Sequence, residues 1–273
     1  MPDLAPNLDA YFARIGYTGP RTATAGALRE IHLHHARAIP YENLDVLLGR
    51  AIRIDLASIE EKLVRQKRGG YCFEQNNLLA AVLLALGFRV TRFMARVRWN
   101  LPADLPTPLT HVLLLVEGED GRFLADVGFG SMSLMAPLAF EFDREQTAAA
   151  IEPRRLIRRG EVVVHQARLG DTWGDVFVFA PDATPAIDCE VGNWFTSTHP
   201  QSRFKQNLTL ARAGDRCRLA ILNREVTIRH ADGRAERREL ATPEELLDVL
   251  ARSFDLHFPP GTRFGPPGSP WPS

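Results

Sequence analysis

Cys72 stands where a glycine turn meets an apolar helix. The segment RGGYCFEQN (68–76) places two glycines and a tyrosine before the thiol, and NLLAAVLLALGF (77–88) follows it. A cysteine in the first turn of a helix sees the positive end of the helix dipole. That favours the thiolate, the form of cysteine that attacks carbonyl carbon. Arg68, close in sequence, is a candidate for a second positive charge. The glycines leave room for a substrate to approach the backbone. The amides of the helix start, that of Cys72 included, are candidates to face a developing oxyanion. Free cysteine is more often a small buried hydrophobe, and Cys189 and Cys217, in plain surroundings, read that way.

An activated cysteine needs a base, and the base needs an orienting group. Of eight histidines, His111 opens the apolar strand THVLLLV (110–116) at an edge where a ring can face a pocket. His32, His34 and His35 lie along one helix and read as surface or packing residues, with no second ligand set to make a metal site. Asp126, in RFLADVGFG (122–130), is a carboxylate at the end of an apolar strand, costly there unless hydrogen-bonded. Adjacent strands over 110–117 and 122–128 would bring His111 and Asp126 side by side. Cysteine, histidine and aspartate in that chain order suit acyl transfer, as nucleophile, proton carrier and orienting group.

The elements that must hold these residues fall into two regimes. Up to about residue 90 the pattern is helical. NLDAYFARIG offers Asn7 or Asp9 as a cap and Gly16 as a stop, and TATAGALREIHLHHARAI ends before Pro40. DLASIEEKLVRQKRGG begins acidic and ends basic, which predicts one helix up to the glycines. From residue 88 the period becomes two. FRVTRFMARVRW, THVLLLVEGEDGRFLADVGFG and EVVVHQARLGDTWGDVFVFA read as strands and hairpins, a β unit over 88–182 that suits a small barrel. A short helix around 183–195, a further meander and a helix capped at Thr242 complete 183–273, with Pro243 and Glu245 extending the cap. The tail FPPGTRFGPPGSPWPS is too rich in proline and glycine for regular packing and reads as mobile. The chain is therefore α+β: helices over 1–87, strands over 88–182, and a mixed C-terminal segment.

Composition narrows the partners. The 273 residues carry 33 basic and 33 acidic side chains, so net charge offers no reason to expect nucleic acid or an anionic membrane. Arg154-Arg155 and Arg158-Arg159 are local basic clusters that read as a solvated face. Three cysteines without CxxC spacing argue against a disulfide framework and a structural zinc site. The N-terminus lacks a signal-peptide pattern and no apolar run is long enough for a membrane span. The expectation is a cytoplasmic protein without a metal.

RGGYCFEQN, THVLLLV and DVGFG, with IPYENLDVLLG (39–49) and SRFKQNLTL (202–210), occur in an order that resembles the arylamine N-acetyltransferase family over about residues 7–255. The resemblance implies a helical bundle, a β-barrel and an α/β lid around a cysteine-protease-like core. It implies ping-pong transfer of acetyl from acetyl-coenzyme A, through a Cys72 thioester, to an arylamine, hydrazine or hydrazide, as in the metabolism of foreign amines. His111 would pair with Cys72 and Asp126 would orient His111. Tyr41, Val97, Phe129 and Phe204 match positions walling the acceptor pocket, and Tyr41 puts a hydroxyl where many members carry phenylalanine. Gly128, Gly130 and Ser131, in GFGSMS (128–133), match a loop beside the coenzyme A phosphates. Glu42 and Asn43 read as structural, pinning their loop to the helical domain. Taken without the resemblance, the residues equally serve a cysteine hydrolase of the papain or transglutaminase kind, or an amide synthase with the same triad. A non-catalytic binding module is disfavoured by the complete Cys–His–Asp set.

Overall fold

The computed structural model describes residues 5–102, 104–147, 151–214 and 217–265. Helix α1 (Leu8–Ile15) is capped by Asn7, whose side chain accepts from the Ala10 amide, and stopped by Gly16 at φ +67°. Helix α2 (Ala25–Ala38) is capped by Thr24 and ends ahead of Pro40. Strand β1 (Tyr41–Glu42) and helix α3 (Leu44–Leu47) follow. Helix α4 (Leu56–Ile59) starts on Asp55, but it does not run on as one helix to the glycines. Glu60–Arg65 is π-helical instead. Buried Glu60 accepts from the Asn7 amide, and Lys62 reaches both Asp45 and Glu74. Polar partners distant in the chain therefore hold this turn, and apolar spacing gives no sign of them.

The RGGY turn packs against the chain before β1. A Cβ on Gly69 would lie 2.2 Å from the Pro40 carbonyl oxygen, and Glu42 and Gly70 exchange backbone hydrogen bonds with this region. Only glycine fits that approach. Helix α5 (Cys72–Ala85) then runs inward, apolar nearly all round. It shares one core with Tyr11, Phe12, Leu28 and Ile31 of the first helices, each such fully buried side chain contributing about 1.5–3 kcal/mol.

The strands β2 (Arg89–Val97), β3 (Leu109–Gly118), β4 (Gly121–Ala125), β5 (Leu138–Ala139), β6 (Arg154–Arg159), β7 (Val162–Leu169) and β8 (Thr172–Phe179) form one sheet, ordered β5-β4-β3-β2-β8-β7-β6. The sheet curls until Phe142 and Gln146, after β5, bridge to Leu156 and Arg154 of β6, leaving a nearly closed barrel. Phe93, Leu113, Leu124 and Phe177 fill its interior. Arg154 corrects the solvated-face reading of the basic cluster: strand alternation turns its side chain inward, where it is fully buried and paired with Glu152. Its neighbour Arg155 stays at the surface side, over the Trp173 ring.

Helices α6 (Ala186–Thr198) and α7 (Arg203–Gln206) lead into β9 (Thr209–Ala213), β10 (Cys217–Leu222), β11 (Glu225–His230) and β12 (Ala235–Glu239). This sheet is ordered β1-β9-β10-β11-β12, so residues 41–42 pair with a strand far along the chain. Helix α8 (Pro243–Phe254) packs Leu246, Leu250 and Phe254 into the lid core. Thr242 caps it by accepting from the Glu245 amide, while Glu245 accepts from Ala241 rather than from Thr242 itself. Thr242→Ala should lower stability by about 1 kcal/mol, a fall of about 2–4 °C in Tm. A variant that melts with the parent would remove the cap from the account. The tail is not free up to residue 265: Phe264 is buried in the lid core and Arg68 lies over the Phe258 ring. Its apolar residues pack despite the prolines, and its remainder, 266–273, lies outside the described residues. Among the described residues no helix is long and apolar enough to cross a membrane.

Candidate active site

Cys72 is the first residue of α5, 3% exposed, with its thiol directed at the Thr110 carbonyl 3.6 Å away. Arg68 does not supply a charge to the thiol. Its guanidinium is held by Glu42 at 2.8 Å and Asp45 at 3.2 Å, which fixes the glycine turn instead. Tyr71, just before the thiol, donates from its hydroxyl to Asn193 of α6 at 2.6 Å and so ties α5 to the lid.

His111 lies on β3 opposite Ala95, where the β2–β3 register shifts. Such an irregularity re-aims a side chain. The ring is buried, its Nε2 2.9 Å from Asp126 Oδ2. Nδ1 is then the nitrogen that remains for Cys72. Phe129 meets the ring edge-on at 5.0 Å and Phe177 lies at 5.1 Å. Burial alone would pull the imidazole down. The charge and hydrogen bond of Asp126, joined by a hydrogen bond and charge from Cys72, outweigh it and push His111 up to about 10. Burial raises Asp126 in turn, but His111, Asn76 and the Gly128 amide hold its carboxyl below the usual carboxylate range. Asp126 thus favours the protonated imidazole of His111, and His111 the ionised carboxylate of Asp126.

Asp126 follows directly after β4 and is held from every side. Asn76 Nδ2 donates to Oδ1 at 2.9 Å, and the Gly128 amide does the same at 2.9 Å. Asn76 also donates to the Val112 carbonyl and accepts from the Val127 amide, which stitches α5 to β3 and to the loop after β4. The Asp126 amide donates to His32 Nε2 at 3.2 Å. Neither Asn76 nor His32 stands out in the sequence reading. Asn76 did carry a signal, an amide one turn after the cysteine, among the polar residues 74–77 that open an otherwise apolar helix. His32 carried none, since its partner comes from another domain. Gly128 brings its loop onto α5: a Cβ there would lie 2.6 Å from the Cys72 Cα. Gly128→Ala should therefore displace either the loop or Cys72, and activity should fall while the helical signal by circular dichroism persists. Unchanged turnover would show that the loop tolerates the methyl.

A cavity of about 350 Å³ opens at the sulfur, and Tyr41, Val97, Phe129 and Phe204 all line it together with Cys72 and His111. Gly128 lines it as well. Gly130 and Ser131 lie just outside: Gly130, at φ +80°, faces the Tyr41 ring, and Ser131 is exposed with its carbonyl accepting from Arg218. Asn43 pins its loop to the lid rather than to the helical domain, donating to the Phe204 and Asn207 carbonyls and accepting from the Thr209 amide. Glu42, fully buried, holds Arg68 and accepts from the Leu44 amide. Cys189, near the site, is buried, and burial pushes its thiol up to about 11. Among the described residues no group of three His, Cys, Asp or Glu side chains could hold a metal ion.

A helical bundle, barrel and lid meeting at a buried Cys–His–Asp core define the class: acyltransferases with a cysteine-protease-like centre. Residues 24–261 match the family model for N-acetyltransferase. The arylamine N-acetyltransferase of Mycobacterium tuberculosis is 41% identical over 259 residues, covering 93% of this chain and 90% of that protein. The structure of the Mycobacterium marinum arylamine N-acetyltransferase superposes with a TM-score of 0.88 at 39% identity, covering 91% of this chain and 92% of that one. The same enzyme in complex with CoA gives 0.87 at 38% identity, over 91% and 92%. The chain belongs to the arylamine N-acetyltransferase family.

Proposed function

We propose that the protein moves acetyl from acetyl-coenzyme A to arylamines, hydrazines or hydrazides in two half-reactions through Cys72. The observation that carries this reading is the line from Asp126 through His111 to Cys72, set in the wall of a cavity large enough for one ring. The Cys72 sulfur attacks the acetyl carbonyl as thiolate, its proton held on His111. The coenzyme A sulfur leaves and takes that proton. An amine then attacks acetyl-Cys72, His111 accepts the amine proton, and the Cys72 sulfur departs. An aryl amine is a weak base and keeps its lone pair at neutral pH. Exchange between two thioesters is nearly balanced, so cysteine suits this donor.

The residues fit the donor and acceptor. The aromatic rings of Tyr41, Phe129 and Phe204, with Val97, give a flat acceptor ring apolar walls. Gly128, Gly130 and Ser131 leave a loop with little side-chain bulk, on which the amides of Gly130 and Ser131 can meet phosphate while that of Gly128 holds Asp126. Three unpaired cysteines fit a reducing compartment, and we place the enzyme in the cytoplasm, acting on foreign amines.

Incubation with acetyl-coenzyme A and a panel of amines tests the reading. Coenzyme A release should need an acceptor after the first turnover, and intact mass should show one acetyl group on Cys72. Release at the same rate without any amine would identify a hydrolase instead. Iodoacetamide should modify Cys72 well before Cys189 or Cys217, because Cys72 lines the cavity together with His111 while burial pushes the Cys189 thiol up. Equal labelling of all three would remove the activated pair.

A further inference from the structure

Helix α2 belongs to the bundle, yet it reaches the centre of the site. His32 is fully buried, and its Nε2 accepts the Asp126 amide at 3.2 Å. An imidazole that accepts at Nε2 must carry its proton on Nδ1, so the ring is neutral and in one tautomer. Nδ1 is buried without a hydrogen bond of its own, with the Met135 backbone nearby. One turn on, His35 is also buried, with Nδ1 2.9 Å from the Tyr11 hydroxyl, while its Nε2 and the nearby Gln75 Oε1 make no hydrogen bond. Gln75 donates to the Pro40 and Gly70 carbonyls, the turn that delivers Cys72. The observed bond from α2 to the triad is that of His32 to Asp126.

Resting on the reading of Cys72, His111 and Asp126 as the reacting set, we infer that His32 is a positioning residue: as a neutral acceptor it fixes the Asp126 backbone, and so the direction in which the carboxylate meets His111. The carboxylate is held by Asn76, Gly128 and His111, but these bonds fix its oxygens relative to α5, β3 and the loop itself. His32 is the bond from Asp126 to α2. Without it a backbone N–H is buried with no partner, and such a donor seeks another by moving its peptide. A rotation of that peptide swings Oδ2 away from His111 Nε2. Tautomer matters as well. A proton on His32 Nε2 would face the Asp126 N–H donor to donor, so only one ring state supports the native geometry.

The groups facing His32 are few. Asp126 comes from the loop after β4, His35 from its own helix, and the Met135 carbonyl from the loop ahead of β5. Burial, the largest influence, draws His32 down to about 4, against the smaller upward pull of Asp126 and two backbone contacts. The folded value lies below the ordinary 6.5. The neutral ring therefore contributes stability that is fully present above about pH 6.5 and is lost as pH falls through about 4.

His32→Leu removes the acceptor at similar volume, and His32→Gln keeps one at similar reach. The first should lower the rate of Cys72 acetylation by acetyl-coenzyme A about 10- to 100-fold, and should change the pH profile of Cys72 alkylation by iodoacetamide. His32→Gln should restore most of both. A purely structural role would lower Tm in His32→Leu and leave the alkylation profile where it was, which would overturn the inference. Nitrogen-15 histidine spectra of the unaltered protein give a measurement free of folding defects: His32 should be neutral with its proton on Nδ1 at pH 7. A protonated ring, or a proton on Nε2, would overturn the inference even if His32→Leu fails to fold. Cys72→Ala separates the two readings. If that variant still transfers acetyl the triad reading fails, whereas inert Cys72→Ala with unaffected His32 variants sinks the role of His32 alone.

Discussion

Cys72→Ala is expected to abolish acetyl transfer and to leave the protein without any acetyl adduct by mass. The side chain is small and 3% exposed, so its loss removes one sulfur from the core and little packing. The apolar walls of Tyr41, Val97, Phe129 and Phe204 are untouched, and acetyl-coenzyme A should still bind. What disappears is the atom proposed to accept the acyl group, and rate losses for removing a triad nucleophile are about 10⁶-fold. Turnover within about tenfold of the parent would mean that the acyl group passes directly from donor to amine in a ternary complex, and the two-step reading would fall. Cys72→Ser is a milder geometric change with nearly the same consequence, because a hydroxyl is far harder to ionise than a thiol beside His111.

Asp126→Asn should slow acetylation of Cys72 by about 10³- to 10⁴-fold while acetyl-coenzyme A binding persists. The argument is one of hydrogen-bond direction. Asn76 and the Gly128 amide both donate to Oδ1, so an asparagine would place its oxygen there. Its amide nitrogen would then face His111 Nε2 as a donor. His111 would be forced to carry its only proton on Nδ1, toward Cys72, and could not take one from the thiol. The charge that lifts His111 to about 10 would vanish too. In the parent, His111 sits above the ordinary 6.5. Its pairing with Asp126 therefore contributes stability that is whole below about pH 6.5 and is lost as pH rises through about 10. In Asp126→Asn that loss on the alkaline side should be absent, and Cys72 alkylation at neutral pH should slow in step with acetylation. Near-normal acetylation in this variant would take Asp126 out of the mechanism.

The two failures of local reading nearest the site share a cause. Arg68, four residues ahead of Cys72, reads as a candidate cation for the thiol, yet Glu42 and Asp45 hold it. Arg154 reads as one of a solvated pair, yet it is buried against Glu152, which in turn holds Arg218 of the lid. A basic residue's partner is set by which carboxylate the fold brings near, and that carboxylate can lie at any distance along the chain. The same holds for the turn at Glu60–Arg65, where Asn7 and Glu74 supply the contacts that replace an ordinary helix.

The sequence by itself determined what short-range physics controls. Asn7, Thr24 and Thr242 cap helices because a side-chain oxygen reaches an amide two or three residues on. The helical and alternating periods separate bundle from barrel, and Cys72, His111 and Asp126 stand out as polar groups at the ends of apolar elements. Tertiary structure alone decided the rest: that β1 joins the lid sheet beside β9, that Asn76 and His32 converge on Asp126, and that Gly128 rests on the Cys72 backbone. Capping and periodicity act within a turn or two of chain. Convergence on Asp126 requires α2, α5 and the loop after β4 to have packed already, and no local pattern records where the other two will be.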